Sequence, residues 1–196
     1  MNDRFIPGTT LEYTDSARDR AFSLIEPVLR ATGGLTLSQL SALTGLGGTT
    51  VQNWIKRGWV SSATGKKYSE KQVLRILLIN MLRSSMKLDD IAHLMAYVNG
   101  DVEDNSDDII EDINLYNMLC RVIFTAEENG AFAPDALRAL IDSEISQHTD
   151  EIANDDKLRK AMFVMVMGYH CGRLKRIMEE VLDVVLTEES AGSHGK

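Results

Sequence analysis

A chain of 196 residues, 44% apolar and 26% charged, has the makeup of one sizeable globular domain or two small ones. A formal net charge of −8 excludes a surface that is basic throughout, and two cysteines are too few for a disulfide framework. The most apolar run, Ala161 to Met167, is far shorter than the ~20 residues that span a bilayer, and the amino terminus MNDRFIPGTT lacks a signal-peptide core, so a soluble cytoplasmic protein is expected.

Three prolines and a prevalence of 3–4-residue apolar spacing predict an all-α fold with at most a minimal β wing. Three regions are expected: an N-terminal arm and helix over 1–34, a small helical domain over 35–99, and an acidic helical domain over 100–196. Residues 1–14 are polar and aperiodic and read as a flexible arm. From Asp15 a helix is expected, with Ala21, Leu24, Ile25, Val28 and Leu29 as its apolar face and Pro27 bending or restarting it. Gly33-Gly34 ends that segment, which should pack on the domain that follows.

Thr36-Leu37-Ser38-Gln39 is a capping box, in which hydroxyl and carboxamide satisfy free amides at a helix start. Leu37, Leu40 and Leu43 share one face of that helix. Thr44-Gly45-Leu46 supplies a turn, with Gly45 where a positive φ is needed and Leu46 plugging the core. A second short helix runs from Gly48-Thr49 to about Arg57. Its buried face is Val51, Trp54 and Ile55, which leaves Thr49, Thr50, Gln52, Asn53 and Lys56 outward. Two strand-like pieces, around Trp59-Val60 and Lys67-Tyr68, bracket a polar loop with Gly65 at its tip and are expected to form the wing. Ser69-Glu70-Lys71-Gln72 is a second capping box and opens a helix through Arg83. Leu88 to Val98 makes one more.

Charge is unevenly spread. Residues 35–99 hold eight Lys/Arg against three acids, whereas residues 100–196 hold nine against 21. A basic module joined to an acidic one confines any phosphate-facing surface to the former.

The stretch Leu37-Ser38-Gln39-Leu40-Ser41-Ala42-Leu43-Thr44-Gly45-Leu46, then Thr50-Val51, Trp54, Gly58-Trp59, Tyr68-Ser69-Glu70 and Lys87-Leu88-Asp89-Asp90-Ile91, resembles the DNA-binding domain of the MerR family of bacterial transcription regulators. The resemblance covers about Leu35 to Tyr97. With its acidic helical extension, the chain is also similar to an uncharacterised group of bacterial proteins carrying a MerR-like domain. The resemblance implies a winged helix-turn-helix whose second helix enters the DNA major groove. This chain departs from the family in having Gly47 at the usual Ser/Thr cap, Gln52 at a usual arginine, and a shorter wing with Lys66 near the usual wing arginine.

Beyond a polar acidic segment, Gly100 to Asp108, the chain returns to helical periodicity. That segment lacks the central glycine and final glutamate of a calcium loop, so a solvated linker is the preferred reading. Further helices are expected over Ile109–Thr125, from Pro134, and from Asp155 to about Leu186. The last carries one stripe of Leu158, Met162, Met165 and Tyr169 and a rotated one of Leu174, Ile177, Met178, Val181 and Val185. It is the natural dimer element, through a helical bundle rather than a long coiled coil, and Gly168 and Gly172 would admit another helix closely. Cys120, His170 and Cys171 are the one metal- or thiol-sensing constellation weighed. Adjacent helix residues point ~100° apart, which disfavours His170 and Cys171 as ligands of one ion.

The expected function is a sequence-specific DNA-binding transcription regulator acting as a homodimer. Thr49, Thr50, Gln52 and Asn53 would meet base edges, and Lys56, Arg57, Lys66, Lys67 and Tyr68 would hold phosphates of double-stranded DNA. The alternative is a protein-interaction adaptor that uses Trp59 and the Gln52/Asn53 face without binding DNA. No catalytic triad, phosphate-binding glycine loop or paired carboxylates stand at persuasive spacing, so no enzyme and no cofactor are expected. A small-molecule or protein effector is expected at the methionine-rich acidic half.

Overall fold

Over residues 5–14, 18–100, 108–148 and 152–193, which the computed structural model describes, the chain forms eight α-helices and one two-stranded ribbon. The helices are α1 (Glu26–Thr32), α2 (Leu37–Thr44), α3 (Gly48–Lys56), α4 (Glu70–Leu82), α5 (Leu88–Asn99), α6 (Asp112–Asn129), α7 (Pro134–Ser146) and α8 (Asp155–Ser193). Strands β1 (Leu35–Thr36) and β2 (Lys67–Tyr68) pair antiparallel, Leu35 opposite Tyr68. The mostly helical class is as expected.

The capping boxes set the framework. Thr36 Oγ1 accepts from the Gln39 amide while the Gln39 carboxamide accepts from the Thr36 amide, and Ser69 and Gln72 repeat the arrangement at α4. Helix α4 is the hub. Every residue from Gln72 to Ile79 is buried, because α2 covers one side and α5, α6 and α8 cover the others. A helix enclosed in this way needs no polar face, which is why its apolar positions run together rather than in a stripe.

The expected division at residue 100 does not divide the core. One continuous apolar cluster runs from Leu40, Val51 and Trp54 through α4 to Leu119, Ile141 and Met165. The two sides of the acidic segment are joined: Ile109 donates its amide to the Val98 carbonyl, and Asn99 Nδ2 donates to Asp112 Oδ1 at 2.8 Å. Residues 101–107, on which the linker and calcium readings fall, lie outside the described residues.

The arm is a structural part. Ile6 is fully buried, the Thr10 amide donates to the Leu43 carbonyl, and Tyr116 Oη donates to the Pro7 carbonyl at 2.7 Å. Asn80 Nδ2 donates to the carbonyls of both Gly8 and Thr44, each at 2.9 Å. Four apolar residues among ten, Phe5, Ile6, Leu11 and Tyr13, carry too little periodicity to announce this.

The helix expected from Asp15 is shorter and differently seated. A 3₁₀ turn, Ala21–Leu24, precedes α1, which starts at Glu26 with Pro27 in its first turn. Asp15 to Ala17 lie outside the described residues. Ala21, Ile25 and Leu29 are buried, but Leu24 and Val28 are exposed. The turn packs on α6 rather than on the neighbouring small domain: the Phe22 amide donates to Asn117 Oδ1, and its ring meets Tyr116 edge-on.

At 39 residues α8 is ~58 Å long. Its first half is buried through Leu158, Ala161, Met162, Met165 and Val166. Its second apolar stripe, from Leu174 to Leu186, is exposed. Gly168 and Gly172 do not await another helix, because they face the Ser84–Met86 turn after α4 within the same chain. No helix among the described residues is long and apolar enough to cross a membrane.

Candidate nucleic-acid interface

Helices α2 and α3 are joined by a turn that three residues determine. Gly45 takes a left-handed φ of +70°, Thr44 Oγ1 donates to the Leu40 carbonyl, and the same oxygen accepts from the Leu46 amide. Leu46 then seals the angle between the helices, with Leu40, Val51 and Trp54 beneath it. Helix α3 begins at Gly47 without a side-chain cap. Gly48 follows directly over Leu37, where a Cβ would come within 3.1 Å of a methyl carbon.

With Val51 and Trp54 inward, Thr49, Gln52, Asn53 and Lys56 are exposed and Thr50 is half-buried. The side chains of Thr49, Asn53 and Lys56 make no hydrogen bond or ion pair to the rest of the chain among the described residues. Gln52 differs. Its Nε2 lies 3.3 Å from Tyr68 Oη, so one edge of its carboxamide is already engaged.

The wing is built otherwise than expected. Trp59-Val60 forms no strand; the Trp59 amide instead caps back onto the Trp54 carbonyl. The partner of β2 is β1. The loop closes as a two-residue hairpin in which the Lys67 amide donates to the Thr64 carbonyl, with Gly65 at φ +58° and Lys66 at φ +65°. Positive φ at both central residues is the geometry that matches strand twist. The loop before it is clamped by Gln72, whose Nε2 donates to the carbonyls of Ser61 and Ser62.

Of the residues expected on phosphates, Lys56, Arg57 and Lys66 are exposed. Arg57 leans over Trp59, 5.1 Å from the ring centroid, and lies 3.9 Å from Asp89, an exposed pair of little energetic weight. Lys67 turns inward and donates to the Thr32 carbonyl. Tyr68 is 2% exposed, its ring is core, and burial raises the pKa of its hydroxyl, which accepts from Gln52 Nε2. Arg75, counted in the basic excess, is also buried and donates from Nε to the Trp59 carbonyl. Thr64, exposed at the foot of the hairpin, lies beside Lys66 and was not anticipated; only the hairpin geometry brings it there.

The three residues of the sensing constellation differ in surroundings. Cys120 is fully buried, and desolvation pushes its thiol far above the ordinary range, whereas Cys171 is exposed. His170 stacks on Phe132 at 3.6 Å, and burial, helped by Arg173, lowers its pKa. No cluster of three His, Cys, Asp or Glu suited to a metal occurs among the described residues.

What fold and site define together is a mostly helical protein with one continuous core, presenting a short polar helix and a tight basic hairpin at one end. Residues 25–119 match a family described as "Domain of unknown function (DUF1836)". The chain is also similar to "Uncharacterized protein YkrK" of Bacillus subtilis (strain 168), at 27% identity over 144 residues, covering 67% of this chain and 61% of that relative's length. No solved structure matches.

Proposed function

We propose that the protein is a sequence-specific DNA-binding regulator that acts as a homodimer through a MerR-like winged helix-turn-helix. The observation that carries this reading is the outward face of α3. Thr49, Asn53 and Lys56 stand there without partners among the described residues, on a helix whose other face is locked by Val51 and Trp54. Lys66 projects from a hairpin close by in the fold, and Arg57 lies at the helix end. A short polar helix flanked by cations suits base edges in a major groove with phosphates to either side. Asn53 suits adenine through its two amide edges, whereas Gln52 offers one edge while its bond to Tyr68 persists. Phosphate contacts are reduced to Lys56, Arg57 and Lys66.

The test is duplex binding across a salt series with the full chain. Lys56→Ala with Lys66→Ala should weaken binding to every sequence and flatten the slope of log K against log salt by about 0.9 for each lost contact. Asn53→Ala should instead weaken binding to the preferred site alone. If the wild type binds no duplex at low salt, the DNA reading fails and the adaptor reading replaces it.

A further inference from the structure

A cleft of about 250 Å³ lies between the 3₁₀ turn, the start of α1, α6 and the end of α7. At its floor Arg121 is fully committed. Its Nε and Nη2 bind Glu144, Nη1 donates to the Asp19 carbonyl at 2.7 Å, and Nη2 approaches His148 Nε2 at 3.1 Å. Glu144 is buried and neutralises it, so this cluster shapes the cleft without adding net charge.

Three side chains that line this cleft carry donors with no acceptor among the described residues. The Phe22 amide can only donate, so Asn117 must turn Oδ1 to it, and its Nδ2 is left for the cleft. Asn114 lies one turn earlier on α6 and is half-buried, yet its carboxamide bonds to no group among the described residues. Arg20 lines the rim, and its guanidinium pairs with no carboxylate among the described residues. The neighbouring carboxylates are engaged, Glu26 by Arg30 and Glu144 by Arg121. Ile113, half-buried, is the accessible apolar side chain of the lining, whereas Met118 is fully buried.

Half-buried amide donors and a cation beside one accessible aliphatic side chain suit a carboxylate on a short aliphatic body. From this geometry we infer that the cleft is a binding site for a small carboxylate. The carboxylate sits on Arg20 and the two asparagine amides, and the aliphatic part lies on Ile113. An occupant would tie the Arg20–Leu24 segment to α6. That segment leads through α1 and β1 into α2 and α3, so occupancy would reach the candidate interface by a short covalent path. The site itself stands apart from the DNA reading, and its failure would leave that reading untouched.

The test uses the full chain with butyrate and glutarate as probes, butyramide as the uncharged control, and chloride to hold ionic strength constant. Thermal melting and titration calorimetry are the readouts. At saturating carboxylate, Tm should rise by roughly 3 °C or more, with no rise for butyramide. Arg20→Gln, at an exposed position, should leave the unliganded Tm unchanged and lower affinity by about tenfold or more. Asn114→Ala should lower it as well. Absence of a carboxylate-specific shift in the wild type, or a shift of equal size in Arg20→Gln, overturns the site.

Discussion

Gly8 shows how a residue without a sequence signature can hold a fold together. Its φ is +78°, and a Cβ there would overlap the Leu77 carbonyl in the middle of α4. The segment therefore passes against the hub helix with backbone touching backbone, and Asn80 ties the Gly8 carbonyl to that of Thr44. A left-handed φ costs an L-residue roughly 1–2 kcal/mol, and the overlap with a backbone atom cannot relax by a rotamer change. Gly8→Ala should destabilise by on the order of 3 kcal/mol and lower Tm by roughly 10 °C in a thermal melt. An unchanged Tm would mean that residues 5–14 are not seated there. Sequence reading missed this because one glycine in a polar stretch looks like any loop glycine. It succeeded at Thr36, Gln39, Ser69 and Gln72, where both halves of each cap lie three residues apart and need no distant partner.

At the scale of elements, α2, α3 and α4 were legible because each is punctuated locally, by capping boxes, by Gly45, and by apolar positions at helical spacing. The hairpin was legible in position but not in pairing. A strand of two residues has no periodicity to read, and its partner β1 lies 31 residues upstream of β2 at the closing register of Thr36 and Lys67. The same geometry separates two adjacent lysines. Lys67 holds the Thr32 carbonyl and so closes the ribbon, while Lys66 occupies a left-handed position at the tip. Glycine is at ease in that conformation, and its greater entropy loss offsets only part of the relief. Lys66→Gly should thus raise stability by about 0.5 kcal/mol in urea unfolding while weakening duplex binding. Lys67→Ala should do the reverse to stability, costing about 1 kcal/mol. A Lys66→Gly variant less stable than wild type would count against the hairpin geometry.

Over the whole molecule, the charge division at residue 100 was visible in the sequence, yet the core ignores it. Composition records what faces water, whereas the core depends on which apolar faces meet. The stripes of α8 make the point. Leu158, Met162 and Met165 are buried, and Ile177, Val181 and Val184, spaced in the same way, are exposed. Periodicity alone cannot say which stripe finds its cover within the chain. Eight large apolar residues from Leu174 to Leu186 remain 45–60% exposed, more than an isolated soluble helix end ordinarily shows. The homodimer proposed above needs such a surface, and the charges beside it favour one orientation. Arg173, Lys175 and Arg176 lie toward its start, and Glu179, Glu180, Asp183 and Glu188 toward its end. Antiparallel pairing of two copies sets each basic turn against the partner's acidic turns, whereas parallel pairing sets like against like. Sedimentation equilibrium should therefore find a dimer that loosens as salt rises, because these rim charges are screened over ~10 Å at 0.1 M. Val181→Glu should yield a monomer with unchanged helical circular dichroism, since Val181 touches no part of its own core. A wild-type chain that sediments as a monomer would remove α8 as the dimer element. A dimer that tightens with salt would retain α8 but reverse the orientation.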